Sequence, residues 1–193
     1  MGEGGFDINY GGARDLQLSA VVSLAYARDA GGPAHVGVAD TEIGAKYRFL
    51  HQREGSWVPD VALFPKADLP TAGQRFGAGQ VGFSVPLWMQ KNLGSWSLFG
   101  GGGWTYNPGA GSRSYEFGGL SLARQVTRRL IMGGEVYHQT ADAVDTRSST
   151  GLGLGASWQI ASKWSIIGSG GPLAEHRSTA GRYALYLALE FHN

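Results

Sequence analysis

Residues 40–50 read Asp-Thr-Glu-Ile-Gly-Ala-Lys-Tyr-Arg-Phe-Leu, and their side chains alternate between two unlike faces. In an extended strand, successive side chains point to opposite sides. One face then carries Ile43, Ala45, Tyr47 and Phe49, and the other carries Glu42, Gly44, Lys46 and Arg48. Three full charges on one face do not suit a closed protein core, because buried charge is costly unless it is paired. The pattern is typical of a strand with lipid on one side and a polar lumen on the other.

The same alternation recurs along most of the chain, in segments close to the roughly 9–11 residues that cross a bilayer at a tilt. It predicts an all-β fold, an antiparallel up-and-down transmembrane β-barrel of 10–12 strands, with residues 1–193 as one domain. A short segment at 6–10 is either a tail or a strand. If it is a strand, we expect twelve strands in the intact protein and a missing N-terminal one. The predicted full strands are 15–27, 40–50, 57–69, 79–90, 95–106, 114–126, 130–141, 150–160, 163–172 and 183–192.

The links between these segments alternate in length, which is a second indication of the same fold. Outer-membrane barrels have short periplasmic turns and longer outer loops. Pro59 and Pro65 lie inside the 57–69 segment and predict a bulge or an irregular strand there, because proline has no N–H to donate. The short links are 12–14, 91–94, 127–129 and 161–163, and the long ones are 29–39, 70–78, 107–113, 142–149 and 173–180.

Composition excludes several other classes of protein. Glycine contributes 32 of the 193 residues and charged residues only 16%, which suits a large sheet with tight turns. Cysteine is absent and the net charge is +1 without a long basic run, so neither a thiolate site nor nucleic-acid binding is expected. No apolar run approaches the roughly 20 residues of a membrane helix. The first residues lack a signal segment, and a mature or truncated chain is the resulting expectation.

The charges on the predicted inner face are the candidates for function. In a barrel of this size they would line a narrow pore and set its selectivity by charge. The alternative is that they pair across the lumen and fill it. Pairs of Lys46 or Arg48 with Glu42 or Glu135 are the first expectation. The lumen and selectivity candidates are Glu42, Lys46, Arg48, Asp60, Lys66, Asp68, Glu135 and Glu190.

Aromatic residues near the strand ends predict the two girdles that anchor a barrel at the membrane interfaces. An inward ring, Trp88 or Phe64, would offer a stacking platform for an aromatic solute. The predicted girdle residues are Tyr47, Phe49, Trp57, Trp96, Trp104, Trp158, Trp164, Tyr183 and Phe191.

Other motifs carry less chemistry. Residues 77–82 match GxGxxG, but a strand follows where a dinucleotide site needs a helix, so no cofactor is expected. The five histidines have no metal-ligand spacing, and no metal site is expected. His176 and Ser178 resemble the His-x-Ser pair of outer-membrane lipid A deacylases, in which a base activates a hydroxyl. A loop histidine is the ordinary interpretation, and no catalytic residue is predicted.

Several segments resemble the MetA-pathway of phenol degradation family of outer-membrane transporters. The resemblance rests on residues 39–50, on 59–63 with the Leu-Pro-Thr-Ala-Gly corner at 69–73, and on Gly133-Gly134-Glu135-Val136 and Leu152-Gly153-Leu154-Gly155. It departs from the family pattern at Ala72, which is inserted before the expected glycine. The resemblance implies an outer-membrane channel or transporter with a link to aromatic catabolism, and it transfers no substrate residues.

The sequence therefore predicts a passive channel or transporter of the bacterial outer membrane for a small solute, such as an aromatic compound. Its expected partners are membrane lipid, the solute and the outer-membrane assembly machinery. The alternatives are a lipid-modifying enzyme of the same membrane, a plugged structural or adhesive barrel, and a soluble ligand-binding barrel with the apolar face turned inward.

Overall fold

The structure, a computed structural model, describes residues 2–28, 32–73, 75–173 and 183–192, and every element in them is a β-strand. No described segment is a helix with the length and hydropathy to cross a membrane. The strands are β1 (Gly2–Ala13), β2 (Leu16–Arg28), β3 (Ala34–Val38), β4 (Thr41–Leu50), β5 (Asp60–Leu63), β6 (Lys66–Leu69), β7 (Gly82–Leu93), β8 (Trp96–Tyr106), β9 (Tyr115–Thr127), β10 (Leu130–Gln139), β11 (Ser149–Ala161), β12 (Trp164–Pro172) and β13 (Tyr183–Phe191).

All thirteen strands belong to one antiparallel sheet, which confirms the predicted all-β, antiparallel class. Strands adjacent in sequence are neighbours throughout, in the order β1-β2-β4-β5-β7-β8-β9-β10-β11-β12-β13, with β3 beside β2 and β6 between β4 and β7. The sheet therefore has eleven strand positions. Because each strand runs opposite to the next, β1 and β13 point the same way. Every Cα atom of β1 lies more than 8 Å from every Cα atom of β13.

The segment at 6–10, expected to be either a tail or a short strand, is part of a strand that is longer than that segment. β1 extends over Gly2–Ala13 and pairs with β2 along its whole length. The alternating Phe6, Ile8 and Tyr10 were its only clear sequence signal, because glycine occupies many of the remaining positions and conceals the pattern.

A β-bulge at Ala39–Asp40 separates β3 from β4. Leu24 is opposite Val38 and Val21 is opposite Glu42, so one extra residue is accommodated between these two pairs. The prediction that 29–39 is a loop was wrong for Ala34–Val38, which continues the ladder along the end of β2. A bulge redirects a side chain, and here the redirected side chain is that of Asp40.

Of the two alternatives predicted from Pro59 and Pro65, a bulge or an irregular strand, the second is observed: the strand is interrupted between β5 and β6 without a bulge. The register stays constant across it, since Tyr47 is opposite Leu63 and Gly44 is opposite Lys66. The backbone N–H of Ala45 donates to the carbonyl oxygen of Pro65 at 3.0 Å. Proline removes one donor without changing the register, and the slip occurs instead near the end of β4, between Arg48 and Leu50.

The turns at one end of the sheet are short. Residues 14–15, 94–95, 128–129 and 162–163 join strands there, whereas 70–81, 107–114 and 140–148 form longer loops at the opposite end. We call these the short-turn end and the long-loop end. Residues 51–59 are the exception, a longer link at the short-turn end.

The molecule has almost no apolar core. Its accessible surface is 12941 Å², against about 8,800 Å² expected for a compact monomer of its mass. Among the described residues, the buried hydrophobic side chains are Ala25, Val61 and Ala62. The large apolar residues are exposed, with Tyr47 at 53% and Leu187 at 79%. The packing is therefore opposite to that of a soluble barrel with an apolar interior.

Candidate functional site

Strand register places most of the charged side chains of the strands together on one face, which we call the polar face. Glu42 is opposite Asp68, and the row from Asp60 passes through Gln90, Phe99 and Ser121 to Glu135. All eight predicted lumen candidates lie on this face: Glu42, Lys46, Arg48, Asp60, Lys66, Asp68, Glu135 and Glu190.

The polar face curves around internal space. Glu42 on β4 and Tyr137 on β10 line one cavity of ≈ 400 Å³. In a flat sheet their strands would be about 24 Å apart, because they are five strand spacings away from each other. A second cavity of ≈ 410 Å³ lies towards the short-turn end and is lined by Lys46, Arg48 and Asp60. We call them the long-loop cavity and the short-turn cavity.

Arg48 is held between two carboxylates at the short-turn end. Its Nη2 lies 2.7 Å from Asp15 Oδ1, and its Nη1 lies 3.4 Å from Asp60 Oδ1. His51 Nε2 is 2.9 Å from the same Asp15 oxygen. The hydrogen bond from Arg48, followed by that from His51, holds the pKa of Asp15 below its ordinary value. Asp15 itself occupies the left-handed region at φ 65, in the two-residue turn.

A second ion pair lies closer to the middle of the face. Lys66 Nζ is 3.0 Å from Glu42 Oε1, and it is also 4.8 Å from the ring centroid of Phe64. Lys46 approaches the same ring at 5.9 Å. The expected pairs of Lys46 or Arg48 with Glu42 or Glu135 do not form, because Lys66 and Asp60 lie on the strands adjacent to β4 and are nearer partners.

Trp88 lies between the two cavities and lines both of them. Its indole stacks on Phe99, with ring centroids 5.1 Å apart and an interplanar angle of 21°. The indole also passes over β8, and its ring centroid lies 6.2 Å from that of Phe117 on β9. A Cβ at Gly101 would lie 2.9 Å from Trp88 Cε3, so the glycine makes this reach possible. Phe64 and Trp88, the two rings predicted to face inward, both lie on the polar side.

The opposite part of the polar face is lined by small residues. Tyr137 lies over Gly151 and the Glu135 carboxylate lies over Gly153, so a Cβ at either glycine would collide with them. The polar face of β11 and β12 is therefore a comparatively smooth wall, whereas Phe99 and Phe117 project from β8 and β9. A third cavity, of ≈ 340 Å³, follows this wall.

The charge on the polar face is unbalanced towards the negative. Seven carboxylates project from it, and Lys46, Arg48 and Lys66 are its three cationic side chains within the strands. Glu190, at the end of β13, is 3.1 Å from His192. The seven are Glu3, Asp7, Glu42, Asp60, Asp68, Glu135 and Glu190.

The apolar face carries aromatic residues near both ends of the strands. Trp164 packs on Phe191 with ring centroids 4.9 Å apart at the short-turn end, and Phe83 packs on Trp104 at 5.6 Å near the long-loop end. Trp57 lies in the 51–59 link. All nine predicted girdle residues are exposed: Tyr47, Phe49, Trp57, Trp96, Trp104, Trp158, Trp164, Tyr183 and Phe191.

Loop 70–81 folds back over the long-loop end and is fixed there by Asp40. The Asp40 carboxylate accepts hydrogen bonds from the backbone N–H groups of Ala72 and Ala78, each at 2.9 Å. The Phe76 ring lies against Gly37, whose absent Cβ leaves the necessary space. The GxGxxG match at 77–82 is therefore part of a folded loop and the start of β7, with no helix after it.

Three residues were missed by the sequence reasoning. Asp15 was treated as the start of a strand, and Asp40 as part of one, although a polar residue beside a turn or a strand break is the usual signal for such roles. Lys91 is 7% exposed, and its Nζ donates to the carbonyl oxygens of Arg53 and Val58 at 3.1 and 3.0 Å. It fastens the 51–59 link to the sheet.

The deacylase candidates His176 and Ser178 lie outside the described residues. In the part of the chain that the structure describes, no three His, Cys, Asp or Glu side chains are grouped to hold a metal ion. Comparison with known proteins adds no identification. No protein-family model matches the sequence. No curated protein matches it either.

Proposed function

We propose that this chain forms a transmembrane β-barrel in a bacterial outer membrane and conducts small solutes passively, with a preference for cations. The observation that carries the proposal is the inverted distribution of side chains. Large apolar residues are exposed on one face, while charged residues line cavities on the other. Water does not stabilise a continuous apolar surface of this extent, whereas lipid does.

The aromatic bands support the membrane assignment. On β8 the two outward-facing tryptophans, Trp96 and Trp104, are separated by about 26 Å along the strand. On a strand tilted by about 35–45°, this span rises about 18–21 Å across the membrane, a few ångströms less than the roughly 25 Å height of the apolar band of an outer-membrane barrel, so both rings lie near its edges. Arg124 lies 5.2 Å from the Trp96 ring, and Lys163 lies 5.9 Å from the Phe191 ring. Cations beside such rings suit the headgroup region.

The proposed selectivity follows from the charge on the polar face. Arg48 and Lys66 are each paired with carboxylates, whereas Asp68 and Glu135 have no ion-pair partner among the described residues. Uncompensated carboxylates raise the local concentration of cations and lower the barrier to their entry. The stack of Trp88 on Phe99, placed between the two charged cavities, would form the constriction.

A barrel also requires that the outer edges of β1 and β13 be satisfied, because each unpaired backbone group in hydrocarbon costs several kcal/mol. Since β1 and β13 run in the same direction, closure takes one of two forms. The two strands pair directly in parallel, or one antiparallel strand lies between them. Both forms predict slow hydrogen exchange, in lipid, for the β1 amides that point away from β2. Fast exchange at both edges would contradict closure.

Conductance in planar bilayers tests the function. We expect the refolded full chain to form channels, and a tenfold KCl gradient to give a reversal potential of cation sign, below the limit of about 59 mV. Asp68→Asn combined with Glu135→Gln should shift that potential towards zero. Glu116→Gln is the matched control, because Glu116 lies on the opposite face of β9. A membrane-inserted chain that conducts at no voltage would instead support the plugged barrel.

A further inference from the structure

We propose that the long-loop cavity binds a small organic cation, such as an alkylammonium ion with an apolar group. The inference deepens the proposed cation-preferring channel and therefore rests on it. The cavity brings together two carboxylates without an ion-pair partner among the described residues, a stack of aromatic rings and a threonine hydroxyl. Its lining includes Asp68, Glu135, Trp88, Phe117 and Thr105.

The charge balance of the cavity favours a cation. The single lysine of the lining, Lys66, is neutralised by Glu42 at 3.0 Å. Asp68 and Glu135 remain as the uncompensated charges, and neither has an ion-pair partner in the described ranges. An anion would meet these carboxylates at short range, within walls of low polarity where charges interact more strongly than in water.

The aromatic rings favour an organic cation over a hydrated metal ion. Trp88, Phe99 and Phe117 form a connected group on one wall, with centroid separations of 5.1 and 6.2 Å. Ring faces attract ammonium groups through their quadrupole, and they also bind apolar substituents. The cavity volume of ≈ 400 Å³ falls within the roughly 300–1,000 Å³ range of small-molecule sites.

Thr105 adds a polar group to the wall of the cavity. The residue is 6% exposed, and it lines the cavity from β8. A hydroxyl can both donate and accept a hydrogen bond, so it can serve a ligand or the water that accompanies it.

The test is calorimetric titration of the refolded full chain in detergent micelles, which measures binding without requiring conduction. Benzyltrimethylammonium is the probe, and its neutral isostere neopentylbenzene and the anion benzoate are the comparison compounds. We expect the cation to bind at least tenfold more tightly than either. Equal affinity for the three compounds, or no binding of the cation, would overturn the proposal with no variant needed.

Variants then locate the site. Asp68→Asn combined with Glu135→Gln should weaken binding of the cation about tenfold or more, and Trp88→Leu by several-fold. Glu116→Gln and Trp57→Leu are matched controls from the opposite face and from the exposed link, and should change nothing. Binding that none of the cavity variants alters would place the site elsewhere and refute the assignment. If the chain forms channels but does not bind the cation, only this inference is refuted. If it binds the cation but forms no channels, only the proposed conduction is refuted.

Discussion

Leu154→Arg distinguishes a lipid-facing surface from a water-facing one. Leu154 lies near the middle of β11 and is 77% exposed. Its cross-strand neighbours are Gly134 on β10 and Gly170 on β12, so replacing it removes little side-chain packing. The change in the free energy of unfolding should therefore report almost entirely the transfer of the side chain between environments.

The expected magnitude depends on depth in the membrane. An arginine at the bilayer midplane costs about 2–4 kcal/mol, falling to about 0–1 kcal/mol near the interface. Ile160 lies six residues further along β11, about 20 Å away along the strand and near the short-turn end. Ile160→Arg is thus the control on the same strand, at a position that is also exposed. On a surface facing water, both substitutions would stay within about 0.5 kcal/mol.

The assay is equilibrium unfolding in denaturant after refolding into phosphatidylcholine vesicles, followed by tryptophan fluorescence. We expect Leu154→Arg to reduce the free energy of unfolding by about 1–4 kcal/mol more than Ile160→Arg does, following the depth dependence above. Equal and small effects of the two substitutions would refute the claim that this face meets hydrocarbon. A chain that folds in buffer without lipid or detergent would refute it as well.

Three further substitutions test the polar contacts at the strand ends. Arg48 lowers the pKa of Asp15, so the ionised Asp15 carboxylate stabilises the fold at pH values above its ordinary pKa. That contribution is lost as the pH falls below about 3.8. Asp15→Asn should therefore lower stability at neutral pH and flatten the acid limb of a stability–pH profile. Asp40→Ala removes two hydrogen bonds to the loop it holds, each contributing about 1 kcal/mol, and should accelerate tryptic cleavage after Arg75. Lys91→Met leaves two carbonyl acceptors without their donor and should lower the midpoint of thermal unfolding by several degrees, measured by circular dichroism.

The fold class was predictable because a period of two is visible wherever side chains differ strongly between faces. Residues 40–50 and 183–192 carry that contrast, and both are strands in the structure. Residues 2–5 lack it, since three glycines give neither face a character. Residues 34–38 do alternate, with Val36 and Val38 opposite His35 and Gly37, but the segment is only five residues long. Both were missed as strands. The bulge at Asp40 was not predictable, because no local signal fixes which residue of a long strand is the extra one.

The members of the site were predictable, but their partners were not. Alternation assigns Glu42, Lys66 and Arg48 to one face without ordering the strands in space. Which carboxylate pairs with which cation depends on register, and register depends on the two-residue turns and on the slip near the end of β4. A turn residue such as Asp15 enters the network only because its left-handed conformation directs the side chain back to Arg48.

Turns do not explain why the strands contain so many glycines; packing on the polar face does. On the polar face, glycines lie opposite large side chains in the same cross-strand row, which runs Arg48, Ala62, Trp88, Gly101, Gly119, Tyr137, Gly151. Trp88 lies over Gly101, and Tyr137 lies over Gly151. Each ring can therefore lie flat along the polar face. A Cβ on the next strand would force the ring towards the interior. An alanine at Gly151 would collide with the Tyr137 ring and push it towards the interior, whereas an alanine at Gly101 would also collide with the backbone carbonyl of Leu87 and disturb the pairing of β7 with β8. The width of the proposed channel therefore depends on residues that carry no side chain.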